Sequence, residues 1–260
     1  MEPLVKLQVH EHTATVTLNR PEKRNALSRG LLKELRQALD DLHKERKVRG
    51  VIVTGAGPAF CAGLDLAEML AASEQEDCQE QWRADSVVYH DLIEAMLRFP
   101  KPLVAAVNGP AVAGGAGIVM ACDIAVASPA AKFGFPEPRR GIVAGMVAPL
   151  LAFRIGAARA AYLLFTAQVV EADVAQRFGL YHELVADEQI WARANELVGE
   201  VAKSAPEAVQ MTKRLLNETI GEQLFSQLAA GAAISAASRT TEAAAEGLAA
   251  FLEKREPKWW

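Results

Sequence analysis

The stretch "GPAVAGGAGIVMACD", residues 109–123, places glycines at 109, 114, 115 and 117 among alanine-sized neighbours and then turns apolar. It follows directly on "PLVAAVN", residues 102–108, which reads as a buried strand. Glycine costs roughly 0.5–1 kcal/mol relative to alanine in regular structure. The cluster therefore implies a backbone shape or a close approach that larger side chains would block. Tight packing of a strand on a helix would need it, and so would a ligand group that must touch the main chain.

Working outward, strands and helices alternate. Val5, Leu7 and Val9 alternate with polar residues, and Thr13–Leu18 follows with Val16 and Leu18 on one side, a hairpin turning near "HEHT". Leu31, Leu32, Leu35, Leu39 and Leu42 recur at helical spacing behind Ser28, which suits an N-cap. "GVIVTG" (50–55) reads as a short buried strand, and residues 73–98 as a long helix with Val88, Leu92, Ala95 and Met96 on one stripe. "PLVAAVN", the glycine stretch opening a helix, and the strand "DIAVAS" come next. The pattern predicts an α/β fold with largely parallel, buried pairing. After about residue 187 strand signals cease. Four amphipathic helices are expected at about 187–203, 206–220, 221–238 and 240–254. The expected organisation is a core over 1–186 and a helical segment over 187–260, with no linker between them. The alanine-rich 228–250 offers a thin, flat face for another helix or another subunit.

The chain has 260 residues, 51% hydrophobic, with a formal net charge of −4, enough for one substantial core. Without a basic stripe, nucleic-acid binding is not expected. No run reaches the roughly 18 apolar residues of a membrane span. The start resembles neither a secretory signal nor a transit peptide. Cys61, Cys78 and Cys122 are an odd, unclustered set, so neither a disulfide framework nor a metal site is expected. A cytoplasmic protein is the expectation. Its five histidines lack metal-binding spacing, "GAGPAF" lacks the end of a phosphate-binding loop, and no G-x-S-x-G elbow occurs.

Two glycine-containing loops remain, "AFCAGLDL" after "GVIVTG" and "AVAGGAG" after "PLVAAVN". One N–H from each could converge on a single oxygen and stabilise charge developing on a carbonyl. A helix starting at the second loop would add its positive dipole end.

"NRPEKRNALS", "GAGPAFCAGLDL", "KPLVAAVNGPAVAGGAGIVMACDIAVAS", "KFGFPEPRRGI" and "EGLAAFLEKREPK" occur in this order nearly end to end. Together they resemble the enoyl-CoA hydratase/isomerase (crotonase) superfamily. The resemblance implies a spiral of ββα units with C-terminal helices that build a trimer or a dimer of trimers. It also implies an acyl-CoA thioester as substrate, with coenzyme A arriving as part of it and no separate cofactor. Residue by residue, it assigns the two N–H donors to Leu64 and Gly114. Arg24, Ala26, Ala62, Asp65 and Leu66 match positions lining the CoA nucleotide, and Phe251 and Lys254 match a ring and a cation that reach a neighbouring subunit's CoA.

The acid/base inventory departs from the family's best-known hydratases, which carry two glutamates. The second matches Glu137 in "GFPEP"; the first falls at Gly117. A single buried carboxylate beside an apolar chain should have a raised pKa, suited to proton transfer at C2. The resemblance thus implies a 2-enoyl-CoA hydratase using Glu137, with two alternatives: a double-bond isomerase using Glu137 alone, or a non-catalytic acyl-CoA binder. Glu68, Glu94 and the acidic run 74–80 are candidates for a stand-in carboxylate.

Overall fold

The computed structural model describes residues 2–73 and 77–259. Strands β1 (Val5–His10) and β2 (Thr13–Leu18) form the hairpin, and α1 (Arg29–Lys44) follows. The Ser28 hydroxyl accepts the Leu31 N–H at 3.2 Å, capping α1 as its sequence requires. The five leucines of the stripe are buried against the sheet. Next come β3 (Gly50–Gly55), α2 (Leu66–Ser73), α3 (Cys78–Arg98), β4 (Leu103–Val107), β5 (Ala111–Val112), α4 (Gly114–Ala121), β6 (Ile124–Ala127) and β7 (Lys132–Gly134). A 3-10 turn at Glu137–Arg140 leads to α5 (Ala148–Ile155), α6 (Ala157–Thr166), β8 (Val169–Glu171), α7 (Ala172–Arg177) and β9 (Glu183–Leu184). The chain ends in α8 (Ile190–Ala202), α9 (Pro206–Arg214), a π-helical turn at Leu215–Ile220, α10 (Glu222–Ser238) and α11 (Glu242–Glu253).

The main sheet runs β1-β2-β3-β4-β6-β9; only the β1–β2 pair is antiparallel. Parallel strands need helical crossovers, which bury both faces and explain the continuous apolar runs of β3 and β4. One face carries the large core with α1, α3 and α4. The other packs Ile52, Val104 and Ala106 against Ile190, Ala194 and Val198 of α8. A second sheet, β5-β7-β8, lies next to the glycine stretch.

Two expectations need correction. Leu7 and Val9 of the edge strand β1 are exposed, although Val5 on the same face is buried. The buried stripe of α3 runs through Trp82, Ser86, Tyr89, Leu92, Ile93, Met96 and Leu97, leaving Val88 in solvent. Helical spacing from Leu92 and Met96 back to Tyr89 fits the core better than the step through Val88. The start of the helix expected at 73 lies partly outside the described residues; α3 begins at Cys78. The thin face of the alanine-rich segment does meet other helices, α10 lying against α3 and α5 of its own chain. Gly231 of α10 meets the backbone of Gly145, and Gly247 of α11 meets that of Arg140, both too closely for a Cβ.

Candidate active site

The two glycine loops run side by side. Cys61 N–H donates to the Pro110 carbonyl and Val112 N–H to the Cys61 carbonyl, each at 3.1 Å. Gly63 adopts φ +86°, and a Cβ there would lie 2.7 Å from that of Ala113 and 3.1 Å from the Gly114 nitrogen. Leu64 and Gly114 are therefore neighbours across the loop contact. Among the described residues, neither of their N–H groups donates to another group of the chain. Gly114 opens α4, which adds a positive dipole end at the same place. Asn25 pegs the first loop: its side-chain nitrogen lies 2.8–3.2 Å from the carbonyls of Ala56, Ala59 and Phe60.

Leu64 and Gly114 line a cavity of about 470 Å³, counting its open mouth, together with Ala62, Leu66, Tyr89 and Glu137. Its remaining wall is largely apolar, from Ile142 to Val147. Glu137 starts the 3-10 turn after Pro136 and is 8% exposed. Its Oε2 is shielded and has no hydrogen-bond partner among the described residues. Burial pushes this carboxyl up to about 7, with Arg140 and its own backbone N–H partly opposing. A carboxyl so placed can hold and release a proton near neutrality.

The question raised by the glycines has two answers. A Cβ on Gly115 would overlap the Cys61 backbone, which is packing. At Gly117 a Cβ would overlap the Tyr89 hydroxyl and come 2.8 Å from Val147 Cγ1. Tyr89 is fully buried, lines the cavity and donates its hydroxyl to the Gly114 carbonyl at 2.7 Å. Burial foremost, with the charges of Cys61 and Glu137, keeps its phenol protonated well above the ordinary range.

The other predicted residues are more dispersed. Arg24 and Ala26 stand beside the first loop, where the Arg24 carbonyl accepts the Ala62 N–H at 3.0 Å, but neither lines the cavity. Asp65 lines an adjoining recess. Burial raises the pKa of its carboxyl, yet hydrogen bonding and charge from Arg20 outweigh that and hold it low. The exposed Phe251 ring lies 4.2 Å from the Arg140 guanidinium of its own chain, and exposed Lys254 ends α11 in a left-handed conformation. Of the stand-in carboxylates, Glu68 accepts the Arg29 N–H and lines the adjoining recess with Asp65, and Glu94 pairs with Arg98; neither lines the cavity itself. Residues 74–76 of the acidic run lie outside the described residues. Sequence reading missed Tyr89, Arg140, Ser235 and Arg239, all of which line the cavity.

The sequence matches the family described as enoyl-CoA hydratase/isomerase over residues 8–260. The chain belongs to that family. A Thermus thermophilus protein carrying an enoyl-CoA hydratase name is 41% identical over 95% of this chain and 97% of its own. The short-chain-enoyl-CoA hydratase of Clostridium acetobutylicum is 34% identical over 97% and 95%. A crystal structure of an enoyl-CoA hydratase from Mycobacterium avium superposes with a TM-score of 0.88 at 31% identity, covering 100% of both chains. The fold is thus the crotonase fold, and this enzyme keeps its C-terminal helices. Among the described residues no helix is long and apolar enough to cross a membrane, and no cluster of His, Cys, Asp or Glu could hold a metal ion.

Proposed function

We propose that the enzyme is an enoyl-CoA hydratase that adds water across the C2–C3 double bond of a 2-enoyl-CoA thioester. The observation that carries this reading is the buried Glu137 carboxyl, its Oε2 without a partner among the described residues, in the same cavity as two N–H groups that donate to nothing described. The thioester carbonyl oxygen accepts from Leu64 and Gly114. Glu137, as carboxylate, takes a proton from water as the water oxygen bonds to C3. The C2–C3 π electrons shift toward the thioester, whose oxygen becomes an oxyanion held by the two donors. Glu137 then delivers the proton to C2, and the carbonyl re-forms. An oxyanion-hole donor typically contributes about 2.7–4 kcal/mol to such a step. The CoA nucleotide lies along Arg24, Ala26, Ala62, Asp65 and Leu66, and no further cofactor takes part.

A second reading rests on one observation: among the described residues Glu137 is the sole carboxylate lining the cavity. One carboxylate suffices to carry a proton between C4 and C2, which would make the enzyme a double-bond isomerase. The hydratase names of the relatives favour the first reading. Incubation with saturated, 2-enoyl and 3-enoyl CoAs, read by chromatography and mass, separates the two. A gain of one water supports the hydratase and an isobaric shift the isomerase. Binding without conversion marks a non-catalytic acyl-CoA binder.

The enzyme assembles, on this proposal, as a trimer or a dimer of trimers. Support comes from the apolar side chains left in solvent on the C-terminal helices, including Met211 at 69% and Ile220 at 68% exposure. In that assembly Phe251 and Lys254 stand where a neighbouring subunit's CoA can meet them. Light scattering showing a folded monomer at micromolar concentration would exclude it. A cytoplasmic setting fits the three free cysteines.

A further inference from the structure

Arg239 follows the last turn of α10 and is 4% exposed. Its Nε is fully shielded and has no hydrogen-bond partner, and among the described residues the guanidinium forms no ion pair. Burial lowers its pKa to about 10, with Asp85 partly opposing, so the group stays charged at neutral pH. A buried, unpaired charge is strongly unfavourable. Asp85 is the carboxylate whose charge reaches it, but Asp85 is already occupied. It accepts from Arg29 Nε at 2.7 Å and NH2 at 2.8 Å, and from Gln81 at 2.8 Å. Among the described residues no carboxylate pairs with Arg239.

Arg239 lines the adjoining recess with Asp65, Glu68 and Asp85, each of which already accepts from Arg20 or Arg29, and it also lines the active-site cavity with Ser235 one turn earlier on α10. The same cavity holds Glu137, Leu64 and Gly114, while its other wall is apolar apart from Arg140, whose guanidinium stacks on the Phe251 ring. A purely hydrocarbon acyl chain would leave the guanidinium as unpaired as before. An anionic oxygen on the bound molecule would satisfy it, and a carboxylate matches the planar fork of guanidinium donors. We propose that Arg239 is the binding site for a carboxylate at the far end of the acyl chain, so that the preferred substrates are acyl-CoAs of dicarboxylic acids. This rests on the acyl-CoA reading of the cavity. A phosphate of CoA offers related chemistry from a second source, and the test separates the two.

The test uses two unreactive probes, pentanoyl-CoA and glutaryl-CoA, which share a five-carbon acyl chain and differ in the terminal carboxylate. Binding is measured by titration calorimetry to the native enzyme and to Arg239→Met and Arg239→Lys. The native enzyme should bind glutaryl-CoA about tenfold or more tighter, the scale of a charge-assisted hydrogen bond. Arg239→Met should erase that preference with pentanoyl-CoA affinity nearly unchanged, and Arg239→Lys should keep part of it. Replacing a buried unpaired arginine by an apolar residue of similar length is compatible with folding. Should the methionine variant not fold, the native comparison decides alone. Equal native affinity for the two probes overturns the proposal. So does an equal loss for both in Arg239→Met, which would place the guanidinium on a CoA phosphate. Failure of both probes to bind the native enzyme overturns the acyl-CoA reading, and this proposal with it.

Discussion

The Tyr89 hydroxyl occupies the space that any side chain at position 117 would need, and it uses that position to hold the Gly114 carbonyl at 2.7 Å. The glycine and the tyrosine are thus one unit. Where the family's two-glutamate hydratases carry a carboxylate, this enzyme has a phenol reaching in from α3. On the proposed mechanism, Glu137 is then left as the one acid/base carboxylate lining the cavity among the described residues.

A first prediction tests the unit. Gly117→Ala should lower stability by about 1–3 kcal/mol, the usual effect of overpacking. Tyr89→Phe removes the atom that the new Cβ meets first, so the penalty should shrink in that background, though Val147 still crowds the site. Urea unfolding of the two single variants and the double variant measures the coupling. Equal penalties in both backgrounds would show that the hydroxyl does not fill this space. Gly117→Glu should not restore a second carboxylate while Tyr89 is present.

Glu137→Gln keeps shape and hydrogen-bonding capacity but cannot carry the proton. Its kcat should fall about 10²–10⁴-fold or more with acyl-CoA affinity little changed. The native pH profile should rise through about 7, because the carboxylate is the working form and burial holds its pKa there. Unchanged turnover in the folded variant would remove Glu137 from the mechanism.

The same carboxyl makes stability depend on pH. Its folded pKa, about 7, lies above the ordinary 4.5, so the fold holds the proton more tightly than the unfolded chain does. That contribution is complete below about pH 4.5, declines as pH rises to about 7 and is absent above. Glu137→Gln should therefore gain stability over the native enzyme between pH 5 and pH 8, by an amount on the order of a few kcal/mol. A stability difference that stays constant across this range would contradict the buried placement of the carboxyl.

Gly114→Pro removes one of the two free N–H groups at the first position of α4, a place where proline is tolerated in helices. Turnover should drop about 10²–10³-fold with helical content retained. Circular dichroism and steady-state rates together give the answer. Near-native rates in a folded variant would move the carbonyl elsewhere.

Much of this could be read before the fold was known, because the signals were long and periodic. The leucines of α1, its Ser28 cap and the apolar runs of β3 and β4 each determine their element locally. The two glycine loops announced a close approach, and they do meet. The second sheet was illegible, since β5, β7 and β8 have only two or three residues and show no period. Tyr89 was lost to a stripe drawn one residue off, through Val88. Arg239 reads in sequence as a cation at a helix end, and its burial among residues of the first loop, α2 and α3 is tertiary, with no local signal.

Ala113 has φ 53° and ψ −127°, a turn conformation that glycine adopts freely and alanine does not. Such a residue typically carries about 1–3 kcal/mol of strain, sustained by surroundings that over-determine it. Here Ala113 N–H donates to the Gly134 carbonyl at 2.9 Å, and the Ala113 carbonyl accepts from Gly117 N–H at 3.1 Å. The peptide that presents the Gly114 N–H is thus a tensioned part of the native state, held by the second sheet on one side and α4 on the other. On warming, this turn should relax before the main sheet opens. Heat inactivation of the enzyme should accordingly begin several degrees below its global unfolding, and return fully on cooling.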